Sequence, residues 1–203
     1  MASIPIASTD VHWEGGVSPF GVPWQKLMMW IFLVTDALLF AVFLASYGFI
    51  RLASASWPEQ SDVFAMLLIG TMTFTLITSS ATMATAVGAA HRGDLKRAAR
   101  FVLLTAVGGL AFLGMQAYEW THFIQEGARL THNPWGPAPF SAFFFAITGL
   151  HGTHVLIGVI ILSITAARLR TGRATGLGVE LAGLYWHFVD LVWVFIFTLF
   201  YLI

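Results

Sequence analysis

Four ionisable side chains lie in two apolar stretches near the end of the chain. His151 and His154 are three residues apart, and His187 and Asp190 repeat that spacing. Residues three apart share one face of an α-helix. Imidazole and carboxylate groups can bind a divalent metal, and histidines on facing helices can ligate haem. The same spacing also suits a hydrogen-bond network without any metal.

Burial in hydrocarbon favours the network. An ionisable residue at the centre of a bilayer costs roughly 2.5–3.5 kcal/mol on insertion scales, so such groups face protein and find partners. We therefore predict that the four side chains form a buried polar network that holds the two helices together. Glu119 shares a helix face with Gln116 and is expected to join this network in a structural role. The alternative is that Glu119 and His122, which are three residues apart, are solvated together at a surface.

Asp36 is a lone acid within an apolar run. Two interpretations stay open for it. It makes a proton or lipid-headgroup contact, or it is a neutral acid that bridges two helices.

The second apolar run is rich in serine and threonine. Ser80, Ala84 and Gly88 are spaced four apart and form a row of small residues. Such rows let helices approach closely, and hydroxyl groups bond between helices. This pattern predicts tight helix packing rather than a ligand site.

Composition indicates the class of protein that must position these groups. The 203 residues are 58% hydrophobic and 10% charged, with a formal net charge of zero. These values are typical of a polytopic membrane protein and give no basic excess for nucleic acid. The absence of cysteine excludes disulfides, thiolate metal sites and a cysteine nucleophile. The first 26 residues show no pattern of a cleavable signal peptide.

Five apolar runs are long enough to span a bilayer as helices. They cover about residues 27–50, 63–90, 101–120, 140–167 and 181–203. Pro58 and the segment 133–137 mark two turns, and Gly172, Gly176 and Gly178 a third. We predict an all-α polytopic membrane helix bundle of five transmembrane helices in a single domain, 1–203, with a short polar N-terminal segment, 1–26.

Basic residues predict the orientation of this bundle. One set of loops carries Lys26, Arg92, Lys96, Arg97, Arg100, Arg168, Arg170 and Arg173, whereas the other carries only Arg51 and Arg129. Cytoplasmic loops hold the excess of lysine and arginine. The N-terminus is therefore expected inside and the C-terminus outside.

Several separated motifs, in order, resemble those of subunit III of the haem–copper respiratory oxidases. They are Ser79-Ser80-Ala81-Thr82, Arg92-Gly93-Asp94, Gln116-Ala117-Tyr118-Glu119, Phe143-Phe144-Phe145, Thr148-Gly149, His151-Gly152-Thr153-His154-Val155 and Trp186-His187-Phe188-Val189-Asp190-Leu191-Val192-Trp193. Glu180 also falls where that family has an acid. The likeness covers about residues 24–203.

The resemblance implies the five-helix form of that family, which lacks the first two of seven helices. It implies a chain without haem or copper, in a bacterial-type plasma (inner) membrane, beside oxidase subunits I and II. Those partners would hold the haem and copper, reduce oxygen to water and pump protons. Subunit III would bind structural phospholipid, stabilise the catalytic subunit and support proton uptake. Asp36, Glu180 and Arg173 are then the candidate lipid or proton contacts. The family usually has Glu at the position of Asp36, although some quinol-oxidase members have Asp.

The expected complex is a cytochrome c oxidase, and three alternatives remain. Subunit III of a quinol oxidase, or the related accessory protein of nitric oxide reductase, would have the same fold. A small transporter would explain the intramembrane acids and histidines, but inverted repeats or broken helices are not evident. A membrane metalloprotein or cytochrome would explain the histidines.

Overall fold

Six α-helices and a final π-helical segment make up nearly all the secondary structure in the computed structural model, which describes residues 21–203. The elements are α1 (Trp24–Ala53), α2 (Gln60–Val63), α3 (Met66–His91), α4 (Leu95–Gln125), α5 (Ala138–Arg170), α6 (Gly176–Ile196) and the π-helical Phe197–Leu202. One isolated β-bridge joins Arg129 and His132 in the α4–α5 connection.

Five helices within this part of the chain are long and apolar enough to cross a membrane, which confirms the predicted all-α, multi-pass fold. They are α1, α3, α4, α5 and α6 with its π-helical extension. Their ends differ from the predicted spans because hydropathy detects only the apolar part of a helix. Val63, for example, ends the short α2, and α3 begins at Met66.

Local capping explains where α4 and α6 begin. The Asp94 carboxylate accepts the N–H of Arg97 at 2.9 Å, so α4 starts six residues before its predicted span. Thr175 accepts the N–H of Gly178 at 3.2 Å and caps α6 in the same way. The glycine-rich turn is therefore shorter than predicted, since Gly178 already lies in the helix.

The helices are arranged as a four-helix bundle with one helix outside it. α3 packs on α4, α4 on α5, α5 on α6, and α6 on α3, which closes the ring. α1 packs mainly on α5 and α6 and leaves its other side exposed, including Leu38, Val42 and Leu52. In a bilayer such apolar side chains face lipid or another membrane protein.

Trp186 fills the centre of the bundle because two glycines leave room for its ring. A Cβ atom at Gly109 would lie 2.5 Å from the indole, and one at Gly158 would lie 2.9 Å from it. A Cβ atom at Gly149 would lie 3.0 Å from the Trp120 ring, so this glycine lets α5 approach α4 closely. Gly152 has open space instead and contributes no tight contact.

Candidate functional site

A buried acid on α1 pairs with a histidine on α5. The Nε2 atom of His154 lies 3.2 Å from an Asp36 carboxylate oxygen, and the two side chains are 13% and 8% exposed. His154 Nδ1 is 2.8 Å from the carbonyl oxygen of Leu150. Because a carbonyl only accepts, Nδ1 carries a proton there, and Nε2 faces the Asp36 carboxyl group. Asp36 therefore bridges two helices.

The other histidine of that motif has different surroundings. His151 is fully buried, and neither ring nitrogen has a hydrogen-bond partner within the described residues. Aromatic rings surround it, with centroid distances of 5.2 Å to Trp193, 5.6 Å to Phe112 and 6.4 Å to Phe40. It is a packed core ring in this chain.

His187 bonds to α3 and not to α5. Its Nδ1 atom lies 2.6 Å from the Ser80 hydroxyl oxygen. Asp190 is close enough to interact electrostatically with His187. One carboxylate oxygen of Asp190 is buried without a partner in residues 21–203. These three side chains form a polar seam where α6 crosses α3.

Glu119 belongs to a third polar group, at the other end of the bundle from Glu180. One of its carboxylate oxygens accepts the side-chain N–H of Gln116 at 3.0 Å and the hydroxyl of Tyr201 at 3.1 Å. All three side chains are buried. The π-helical segment that ends the chain brings Tyr201 to this site.

The structure thus does not join the five predicted network residues into one unit. It distributes His154, His187 with Asp190, and Glu119 among three separate groups and leaves His151 without a hydrogen bond. The physical reason is that spacing on a helix shows which residues share a face but not which neighbour that face meets.

The predicted hydroxyl bonds between helices are confirmed, and they have partners that the sequence did not single out. Trp186 donates to Ser79 at 3.1 Å, and Trp193 donates to Thr73 at 3.0 Å. The two tryptophans are seven apart on α6 and bond to one side of α3. A buried indole N–H needs an acceptor, so this spacing opposite a hydroxyl-rich helix was a usable signal.

The remaining candidates lie at the helix ends with the basic residues. Glu180 pairs with Lys26 at 2.5 Å and lies 3.8 Å from His91. It thereby connects α6 with the start of α1 and the end of α3. Arg173 is exposed in the turn before α6. Their predicted lipid or proton contacts stay predictions.

Within the described residues, no three or more histidine and acidic side chains are grouped so as to hold a metal ion. These groups connect helices: α1 to α5, α3 to α6, and α4 to the end of the chain. They define the class as a multi-pass membrane protein whose intramembrane ionisable groups pair between helices.

Comparison with known proteins gives the family. Residues 13–203 match the family model for cytochrome c oxidase subunit III. Cytochrome c oxidase subunit 3 of Alkalihalophilus pseudofirmus is 36% identical over 87% of this chain and 85% of its own length. Quinol oxidase subunit 3 of Bacillus spizizenii has the same identity and coverage. Cytochrome bo(3) ubiquinol oxidase subunit 3 of Pseudomonas aeruginosa is 33% identical over 94% of this chain and 87% of its own length. The chain belongs to the subunit III family of haem–copper oxidases, and this membership implies association with other oxidase subunits.

Proposed function

We propose that the chain is the non-catalytic subunit III of a proton-pumping terminal oxidase in a bacterial-type plasma membrane. In this proposal subunits I and II hold the haem and copper and reduce oxygen to water. The observation that supports a structural role most directly is the Asp36–His154 pair, which uses a carboxyl and an imidazole to attach α1 to the bundle. Groups that are bonded to each other in this way stabilise the contact between their helices.

Two groups of residues would serve the complex. At the basic, predicted cytoplasmic end, Glu180 connects α6 with Lys26 at the start of α1 and His91 at the end of α3. Arg173 is exposed in the turn before α6, at the same end of that helix. Phospholipid headgroups lie at that depth, so we assign the phospholipid contact to this end. The Asp36–His154 pair is the candidate link to proton uptake.

We propose cytochrome c as the electron donor, with quinol as the second candidate. One relative at 36% identity is named a cytochrome c oxidase subunit and another at the same identity a quinol oxidase subunit. Asp at position 36, which resembles some quinol-oxidase members, favours the second candidate. The donor binds to other subunits, so the assembled complex must be assayed.

An affinity tag on this chain tests the proposal. The complex is purified from membranes in mild detergent, its haem spectrum is recorded, and its oxygen consumption is measured with reduced cytochrome c and then with quinol. Haem-containing partner subunits and oxidation of cytochrome c are expected. Oxidation of quinol alone, or reduction of nitric oxide, would identify one of the alternatives. A chain that purifies alone with a Soret band or stoichiometric metal would refute the structural role.

A further inference from the structure

The contacts within the bundle leave part of the Glu119 carboxyl group without a partner. Glu119 is 4% exposed, and one of its two carboxyl oxygens accepts the bonds from Gln116 and Tyr201. Its other oxygen is buried and has no hydrogen-bond partner within residues 21–203, and the same is true of the side-chain oxygen of Gln116. Buried polar atoms are normally hydrogen-bonded, so these two oxygens indicate a further polar group at this site.

Glu119 lines a cavity of about 80 Å³ between α4 and the junction of α2 with α3. On the α2–α3 side the lining residues are apolar: Val63, Phe64, Ala65 and Leu68. On α4 the lining includes Tyr118 and His122, which are both exposed. The cavity therefore extends from the buried carboxyl group to the surface of the bundle.

The size and the chemistry of this cavity favour water as the occupant. At about 30 Å³ per molecule it has room for about two or three waters, and it is too small for a phospholipid headgroup or an acyl chain. Water both donates and accepts hydrogen bonds, so it can bond to Glu119 in the charged and in the neutral form. A metal cation would bind only the charged form.

The depth of Glu119 brings it within reach of interfacial water. With 31 residues α4 is about 46 Å long, whereas the hydrocarbon core is about 30 Å thick. A centred helix of that length extends about 8 Å beyond the core at each end. Glu119 lies about 9 Å from the C-terminal end of α4, and thus at the edge of the core. The basic loops predict that this is the outer end.

We propose that water in this cavity exchanges protons between Glu119 and the predicted outer surface, past His122. When the neutral carboxyl group releases its proton, the O–H bond breaks, its electron pair stays on the oxygen, and the proton passes to water. No other reactant is needed. The inference goes beyond the oxidase assignment and does not depend on it, because it uses contacts within this chain alone.

Few other titratable groups face Glu119 among the described residues. Tyr201 bonds to it from the π-helical segment, and Tyr118 and His122 lie on its own helix. His122 Nδ1 is also 3.5 Å from a carboxylate oxygen of Glu126, at the surface. The lining from α2 and α3 is apolar, and α5 packs an aromatic ring, Phe144, against the cavity wall. His122 is therefore the side chain best placed to pass protons between the cavity and bulk water.

Infrared spectroscopy of the purified, tagged protein tests the proton site. The bands of Glu119 are those that disappear in Glu119→Gln, whose side-chain oxygen can still accept the bonds from Gln116 and Tyr201. Raising the pH while the protein stays folded should convert the C=O band of a neutral carboxyl group into carboxylate bands, and lowering the pH should reverse this. A Glu119 band that changes only when the protein unfolds would overturn the proposal.

Salt additions at constant pH distinguish water from a bound cation. Sodium chloride and potassium chloride should leave the Glu119 bands in place, as choline chloride does at the same ionic strength. A band shift that only sodium or only potassium produces would show that a cation occupies the cavity, and the assignment of water would be wrong.

A cavity-filling variant tests the path to the surface. Ala65→Leu places a larger side chain in the lining, and the matched control Ala81→Leu makes the same change at an exposed position of α3 outside it. At a pH where Glu119 is neutral, its band should shift in deuterated buffer about tenfold more slowly in Ala65→Leu, because exchange then requires local opening. Equal rates in the two variants would show another path and contradict the proposal.

The role of His122 is tested in the same assay. Deuterium exchange at Glu119 should be slower in His122→Leu than in Thr121→Leu, which changes the exposed neighbouring residue. Equal rates would contradict a path past His122. Melting curves followed by circular dichroism show whether each variant is folded, and Leu68→Phe fills the same cavity from α3 if Ala65→Leu is not.

Discussion

Removing one partner of the Asp36–His154 pair should destabilise the attachment of α1 unequally, depending on which partner is removed. His154→Leu leaves a carboxyl that is 8% exposed without the one partner it has among residues 21–203. Asp36→Leu leaves an imidazole whose Nδ1 proton still bonds to the Leu150 carbonyl at 2.8 Å. Asp36→Leu should therefore destabilise the attachment of α1 less than His154→Leu does.

The magnitudes follow from two reference costs. Breaking a buried ion pair costs about 3–5 kcal/mol because the remaining charge is uncompensated. Losing a hydrogen bond between membrane helices costs about 0.6–1.7 kcal/mol. We expect about 3 kcal/mol for His154→Leu, where the stranded acid dominates, and about 1 kcal/mol for Asp36→Leu. The double variant should cost about 1 kcal/mol, since no acid is then left unpaired.

The assay is unfolding in mixed detergent micelles, followed by circular dichroism and by a dye on α1. The chain has no cysteine, so Leu38→Cys gives a single labelling site on the exposed side of α1. Thr153→Leu is the matched control, because Thr153 is exposed on the helix beside His154. Costs of the single variants that simply add in the double variant would refute the coupling. Equal losses in both single variants would refute the proton assignment.

Three further predictions concern groups inside the bundle. Gly109→Ala should cost about 1–3 kcal/mol of unfolding free energy, since its Cβ would lie 2.5 Å from an indole ring, whereas Gly114→Ala on the same helix has open space and should cost nothing. His151→Met should leave that free energy unchanged or raise it by up to about 1 kcal/mol, because the buried ring nitrogens have no hydrogen bond to lose within the part of the chain that the structure describes. A large loss would show a further partner. Tyr201→Phe should cost about 1–3 kcal/mol by removing a donor from Glu119, and an unchanged unfolding midpoint would argue against that bond.

Hydropathy and motif spacing predicted the helices because both are properties of the chain alone. Every predicted span lies almost entirely on a long helix, and the non-helical connection at 133–137 is where proline and glycine placed it. The resemblance to subunit III was confirmed because its motifs occur in order along most of the chain. The start of α4 was predicted at residue 101, whereas the helix begins at Leu95. Hydropathy missed the first turn because it is charged, although Asp94 caps it.

The pairing of the polar residues could not be predicted in the same way. His151 and His154 share a motif, but one faces the aromatic core and the other faces α1. His187 was expected to face α5, and it faces α3 because Trp186 and Trp193 fix the rotation of α6 through Ser79 and Thr73. The rotation of each helix depends on neighbours that are distant in sequence.

The π-helical end of α6 shows most clearly what periodicity misses. Phe200 and Tyr201 are consecutive and both fully buried, although neighbouring residues on an α-helix point in directions about 100° apart. The hydrogen bonds of a π-helix span five residues, so this last turn is wider and both rings can face the bundle. Phe200 joins the aromatic cluster with Phe140, while Tyr201 reaches Glu119. The bond to a buried acid gives a reason for a turn that α-helical geometry alone would not favour.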